Sequence, residues 1–169
     1  MILRFFSYIM DTCLKIFSFM LNTQAEDLAI SAALPTPAEF NALRQLMGWR
    51  CMTEQQTGNA LNHSLFAICA RQQRRLVGFA RVIGDGVMYF YVQDVMVHPG
   101  FQNQGIGQRM MQQIESWLDK NTQPGSTVGL LSAEGKEGFY QPFGYQCRPA
   151  KGIGAGMSRF VSSGRRDKP

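Results

Sequence analysis

Residues 102–107, Gln-Asn-Gln-Gly-Ile-Gly, stand where an apolar strand pattern gives way to a helical one. The whole stretch reads VHPGFQNQGIGQRMMQQIESWL, from Val97 to Leu118. Glycine costs a helix interior about 1 kcal/mol relative to alanine, so Gly105 and Gly107 at a helix start need a reason. The first N–H groups of a helix have no intrahelical partner and lie at the positive end of its dipole, which suits an anion. Without a Cβ, the backbone can approach a phosphate closely. Gln102 and Gln104 can add side-chain N–H donors. The residues leave a second reading open, a glycine turn that only packs tightly against a sheet.

Two familiar phosphate loops fit poorly. A P-loop needs Lys followed by Ser or Thr after its last glycine, and Gln108-Arg109 follow here. A dinucleotide fingerprint needs a third small residue three positions after Gly107, which is Met110, and it belongs at a first strand. Metal chemistry finds no pattern. Cys13, Cys51, Cys69 and Cys147 form no CxxC pair, and His63 and His98 are far apart. The cysteines read as single thiols in a reducing compartment. His98, beside Pro99, reads as a strand-end surface residue.

These residues need a scaffold, and the punctuation of the chain supplies one. A first strand is expected over Asp27–Leu34. Thr36 as N-cap, Pro37 at the first helical position and Glu39 three residues after the cap predict a helix through Trp49, with Phe40, Leu43 and Met47 inward and Gly48 ending it. A weaker helix is expected over Thr53–Leu61. Apolar runs at Ser64–Arg71, Leu76–Ile83 and Met88–Val97, separated by polar or glycine turns, read as an antiparallel meander. The helix after the glycines places Ile106, Met110, Ile114, Trp117 and Leu118 on one face, with Met111 at its edge. A strand over Ser126–Ala133, a short helix in GKEGFYQPFGY and a last strand over Met157–Val161 complete the order. A strand, a helix and a strand in succession require a crossover, so at least one strand pair should be parallel.

The chain has 169 residues, 45% hydrophobic and 17% charged, which suits one globular domain with its own core. A net charge of +5 favours an anionic ligand, but the basic residues are scattered, and nucleic acid is not expected as a partner. The first 22 residues are apolar and aromatic, yet Arg4, Asp11 and Lys15 interrupt them, and no run reaches the ~20 residues of a membrane span. Residues 1–20 are read as an apolar extension: either a surface helix, or a product of start-codon choice with Met20 as the start, which the composition favours. The domain is expected over 21–162 and a disordered tail over 163–169.

VMVHPGFQNQGIGQRMM resembles the coenzyme A signature of the GNAT superfamily of N-acetyltransferases, Gln/Arg-x-x-Gly-x-Gly/Ala after a strand ending in an apolar-x-Val-x-Pro pattern. The six-residue motif gains its specificity from the long strand before it, the helix and strand after it, and FYQPFGY, which looks like the superfamily's Phe-Tyr-x-x-x-Gly-Phe/Tyr element. The resemblance runs from about Leu28 to Val161. It implies an α+β fold, a central, mostly antiparallel mixed sheet flanked by helices, with splayed parallel strands at the coenzyme A site.

The resemblance also implies roles. Acetyl-CoA is the co-substrate, its pyrophosphate on the amides of Gln102, Asn103, Gln104, Gly105, Ile106, Gly107 and Gln108. The pantetheine arm pairs with Val95, Met96 and Val97 like an added strand, and a backbone N–H near Met96 or Val97 serves the oxyanion. Tyr140 matches the tyrosine that protonates the leaving thiolate. For the base, Asp94, Glu134 and a water chain stay open. The superfamily's pantetheine-binding Asn, seven residues before the tyrosine, is replaced by Ala133 here. The expected activity is direct acetyl transfer to a primary amine of a small molecule or peptide N-terminus, in the cytoplasm, with a homodimer admitted. Trp49, Tyr89 and Tyr91 are candidate acceptor-pocket residues, the ordinary alternative being core packing. The competing reading is a non-enzymatic coenzyme A sensor on the same scaffold.

Overall fold

The computed structural model describes residues 28–159. Five strands form one sheet in the order β1 (Leu28–Ala32), β2 (Phe66–Gln72), β3 (Arg75–Gly84), β4 (Tyr89–Val97) and β5 (Thr127–Gly129). The first four pair antiparallel, and β4 with β5 is parallel, as the crossover requires. The helices are α1 (Pro37–Leu46), α2 (Glu54–Asn62), α3 (Ile106–Asn121) and the short α4 (Glu137–Tyr140), which runs into a 3-10 turn over Gln141–Phe143. The residues group into two compact units divided between Leu130 and Leu131, a division inside the 21–162 stretch expected as one domain. The 1–20 extension and the 163–169 tail lie outside the described residues.

Local chemistry sets the helix starts. The Glu39 N–H donates to Thr36 Oγ1 at 3.2 Å while the Thr36 N–H donates to Glu39 Oε2 at 2.9 Å, the reciprocal cap that the sequence predicts. The same box forms at α2, where the Gln56 N–H donates to Thr53 Oγ1 and the Thr53 N–H donates to Gln56 Oε1. That Thr-x-x-Gln signal was present in the sequence and makes α2 a better-specified helix than its weak periodicity suggests.

The sheet is covered on both faces. Phe40 and Leu43 of α1 pack with Leu61, Ala67, Cys69, Phe79 and Met96 on one. On the other, α3 buries Ile106, Met110, Met111, Ile114 and Leu118, so Met111 is core rather than edge. Trp117 lies parallel to Phe66 with ring centroids 5.2 Å apart. Gly78 brings α3 close: a Cβ there would stand 3.0 Å from Met110 Sδ and 3.1 Å from the Ala70 Cβ. Alternate residues of β2 and β3 face opposite sides, as strand geometry dictates.

In β4 that alternation is broken in space but not in sequence. Phe90, Val92, Asp94 and Met96 are all buried, an unbroken period of two. Yet Phe90 meets Trp117 of α3, while Met96 sits in the α1 cluster. A β-bulge makes the switch: Phe79 pairs with Met96 but Arg81 pairs with Gln93, so β4 carries one extra residue there. Asp94 takes φ 56° at this point.

Two expected strands differ. The run over Ser126–Ala133 is a strand only at Thr127–Gly129, and Leu131 is already 64% exposed, so no packed face prolongs the ladder. The last strand expected over Met157–Val161 does not form at 157–159, where Met157 is 96% exposed; residues 160 and 161 lie outside the described residues. Without a buried face or a ladder partner, an apolar run of this length gains too little to order as a strand.

Candidate active site

The pairing of β4 with β5 covers Tyr89↔Thr127, Phe90↔Val128 and Tyr91↔Gly129, then stops. From Val92 onward β4 keeps a ladder partner among the described strands only in β3. The parallel ladder ends before Val95, Met96 and Val97. An extended chain with amide groups can use the edge so opened.

Beyond Val97, residues 99–101 form a 3-10 turn, and the chain then reverses through Asn103 at φ 61° and Gly105 at φ 75°. Gly105 is the N-cap of α3, and no side chain caps it. The helical ladder begins with the Arg109 N–H donating to the Gly105 carbonyl at 3.0 Å. The N–H groups of Ile106, Gly107 and Gln108 therefore precede the ladder at the positive end of a 16-residue helix. Gly105 is required by its left-handed backbone, since a Cβ there would meet nothing within 4 Å. Gln102 and Gln104 also hold the turn from within. The Gln102 amide donates to the Val97 carbonyl at 3.0 Å, and the Gln104 amide donates to the Gly100 carbonyl at 3.4 Å. Both shape the turn, and each amide keeps a second N–H.

Asp94 stands beside this edge, in the bulge. Its side chain is closed to solvent. Oδ1 accepts from Arg44 Nη1 at 2.5 Å and from Gln93 Nε2 at 3.3 Å; Oδ2 accepts from Arg81 Nε at 2.8 Å. Arg81 also donates to the Ala60 carbonyl of α2 at 2.7 Å, and Arg44 to the Arg50 carbonyl at 3.1 Å. The Arg44 guanidinium lies 5.3 Å from the Trp49 ring and 5.5 Å from Phe40. Neither arginine was anticipated as part of a site. Each carried a signal: Arg44 falls beside Phe40 and Met47 on the apolar face of α1, and Arg81 interrupts the apolar run of β3. A charge in an inward position needs a partner.

Tyr140 and Glu134 belong to the second unit. Tyr140 ends α4, half-buried, with its ring centroid 4.9 Å from Phe139 and 6.2 Å from Tyr145. Burial pushes the phenol above its ordinary value, which keeps it a proton donor at neutral pH. Glu134 is exposed in the turn before α4. Of the other aromatics, Trp49 and Tyr91 are half-buried and Tyr89 is 61% exposed. His98 accepts from Arg75, with Nε2 2.6 Å from Nη2, and lies edge-on to Phe101. Burial first, then the Arg75 charge, lower its pKa. Among the described residues no helix is long and apolar enough to cross a membrane.

A parallel ladder that ends early, followed by an uncapped helix N-terminus, has the groups to take an extended ligand with an anionic end. The model of the acetyltransferase (GNAT) domain matches residues 62–147. An uncharacterised N-acetyltransferase of Prochlorococcus marinus is 33% identical over 66% of this chain and 63% of its own length. The chloroplastic GCN5-related N-acetyltransferase 1 of Arabidopsis thaliana is 29% identical over 83% of this chain and 68% of its own. The crystal structure of a protein of unknown function from meticillin-resistant Staphylococcus aureus superposes with a TM-score of 0.74 at 25% identity, covering 79% of this chain and 99% of that one. The chain belongs to the GNAT acetyltransferases, as its signature led one to expect, and acetyl-CoA is the co-substrate of that family.

Proposed function

We propose that this protein transfers the acetyl group of acetyl-CoA directly to a primary amine of a small molecule or a peptide N-terminus, within a ternary complex. The observation that carries the proposal is the end of the β4–β5 ladder at Tyr91↔Gly129, followed by the uncapped start of α3 at Gly105. The residues fit the ligand: Val95, Met96 and Val97 offer strand amides to a pantetheine, and the backbone from Gln102 to Gln108 offers N–H groups to a pyrophosphate.

The amine attacks as the neutral base. Its nitrogen forms a bond to the thioester carbon while charge develops on the carbonyl oxygen, for which a backbone N–H at Met96 or Val97 is the donor. When the tetrahedral intermediate collapses, the carbon–sulfur bond breaks and the thiolate takes the Tyr140 proton. Tyr140 owes this assignment to its place in FYQPFGY and to the burial that keeps the phenol protonated. The proton lost by the amine passes to solvent through water. Both oxygens of Asp94 already accept from guanidinium groups, so it is assigned no base role; Glu134, on an exposed turn, is the side-chain alternative.

A reducing compartment, the cytoplasm or a plastid interior, suits free thiols at Cys51, Cys69 and Cys147. Acetyl-CoA turnover, followed as free thiol against polyamines, aralkylamines, amino sugars and peptide N-termini, tests the activity. Release with at least one class is expected; acetyl-CoA binding with no release from any class leaves the coenzyme A sensor. Gly105→Val tests the site, with an expected loss of acetyl-CoA affinity of about tenfold or more, because the side chain opposes the left-handed turn. Parental affinity in this variant removes the turn from the binding site.

A further inference from the structure

Asp94 is the one charged side chain in the buried class among the described residues. It also holds a left-handed backbone in mid-strand, where the β3–β4 register shifts. Such a conformation is disfavoured for any residue with a Cβ, and tertiary contacts must hold it. The contacts come from three directions: Arg44 from α1, Arg81 from β3 and, through Arg81, the Ala60 carbonyl near the end of α2. The next residue is Val95, followed by Met96 and Val97. The bulge therefore decides which way the N–H groups of the following residues point.

Resting on the proposed acetyl transfer, we propose that Asp94, clamped by Arg44 and Arg81, is a positioning residue. It fixes the β4 bulge so that the N–H of Val97, which faces away from β3, is aimed at the thioester carbonyl. It touches neither substrate and takes no proton. The bulge residue carries a charge because a carboxylate can accept from α1 and β3 at once, one oxygen to each guanidinium. An apolar side chain at the same place would leave two inward guanidinium groups without their acceptor.

The inference predicts a particular kinetic signature. Asp94→Asn keeps the side-chain shape and loses the charge that holds the two arginines. Misaligned oxyanion donors act in the transition state more than in the ground state. The expected result is a fall in kcat of about a hundredfold, the scale of a 1 Å displacement at a reacting centre. KM for acetyl-CoA should rise by much less than kcat falls, because the turn at Gly105, which holds the pyrophosphate, is untouched. The pH profile of kcat/KM should keep the limbs of the parent while its plateau drops, since no titrating group of the reaction is lost.

Arg44→Gln is the second variant and decides the matter if Asp94→Asn does not fold. Arg44 is 23% exposed, so its loss is easier to absorb, and the same split between kcat and KM is expected on a smaller scale. Arg44→Lys, which keeps a charge on Asp94 Oδ1, should recover part of the rate. Parental kcat in a folded Asp94→Asn, or in Arg44→Gln where that decides, overturns the inference. Disappearance of the acidic limb in Asp94→Asn also overturns it, by making Asp94 the base. A parent protein that binds no acetyl-CoA and acetylates no amine overturns the proposed function instead, before any variant is compared.

Discussion

The two units of the chain are built in different ways. Every residue of the buried hydrophobic core lies between Phe40 and Leu118, in the first unit. In the second unit, the described residues 131–159 include none in the buried class. Each nevertheless carries part of the proposed chemistry: the strand edge and the helix N-terminus in the first, Tyr140 in the second. Binding an extended ligand through backbone amides demands a backbone that does not move, and a packed core supplies it. Donating one proton from a phenol demands less, a half-buried ring among Phe139 and Tyr145 that stays protonated.

That contrast is sharpest if binding and turnover can be lost separately. Tyr140→Phe should lower kcat by about 10²–10⁴-fold, the range of general acid catalysis, while acetyl-CoA affinity measured by calorimetry stays near the parent value. An unchanged rate would remove the acid role and leave the second unit without chemistry. Next in size is the core itself. Met110→Ala should cost about 2–5 kcal/mol in denaturant unfolding, because Met110 is fully buried over Gly78, whereas Phe139→Ala, in a unit whose described residues include none buried, should cost under about 1.5 kcal/mol. Equal losses would mean that the two units share one cooperative core.

The smallest effect concerns acid. Glu39 caps α1 and accepts from Arg71 at 2.6 Å and 3.0 Å. The Arg71 hydrogen bond, with help from Thr36, lowers its pKa to about 2. The folded value lies below the ordinary one, so this contribution is complete above pH ~4.3 and is lost as pH falls towards 2. The pair is partly solvated, which limits it to about 1 kcal/mol. In Glu39→Gln, the loss of stability between about pH 5 and pH 2, followed by thermal melting, should be shallower than in the parent. An identical acid slope would mean that Arg71 does not hold the carboxylate.

Much of the fold was legible because its signals are local. Thr36, Pro37 and Glu39 specify the start of α1 within four residues, and Gly48 at φ 71° ends the turn after it. The meander follows from polar turns between apolar runs. The helix after Gly105 follows from its apolar stripe, and the family from Gln102–Gly107 in that setting. One expected strand is shortened, and another does not form at 157–159. The Ser126–Ala133 run has a neighbour only along three residues of β4, and residues 157–159 have no ladder partner among the described residues, a lack that no local pattern announces.

What the sequence determined by itself is the set of elements and the chemistry of the glycine turn, because capping, helix periodicity and left-handed turns depend on residues a few positions apart. Only the tertiary structure decided the geometry beside that turn. Phe90, Val92, Asp94 and Met96 read as one unbroken inward row, and the bulge divides them between two faces of the sheet. The charges that hold Asp94 come from Arg81, 13 residues earlier, and Arg44, 50 residues earlier. No local pattern can encode such a partnership, since it exists only once α1 has packed across β3 and β4. The amide groups of Val95, Met96 and Val97 were named by sequence, but their direction belongs to the fold.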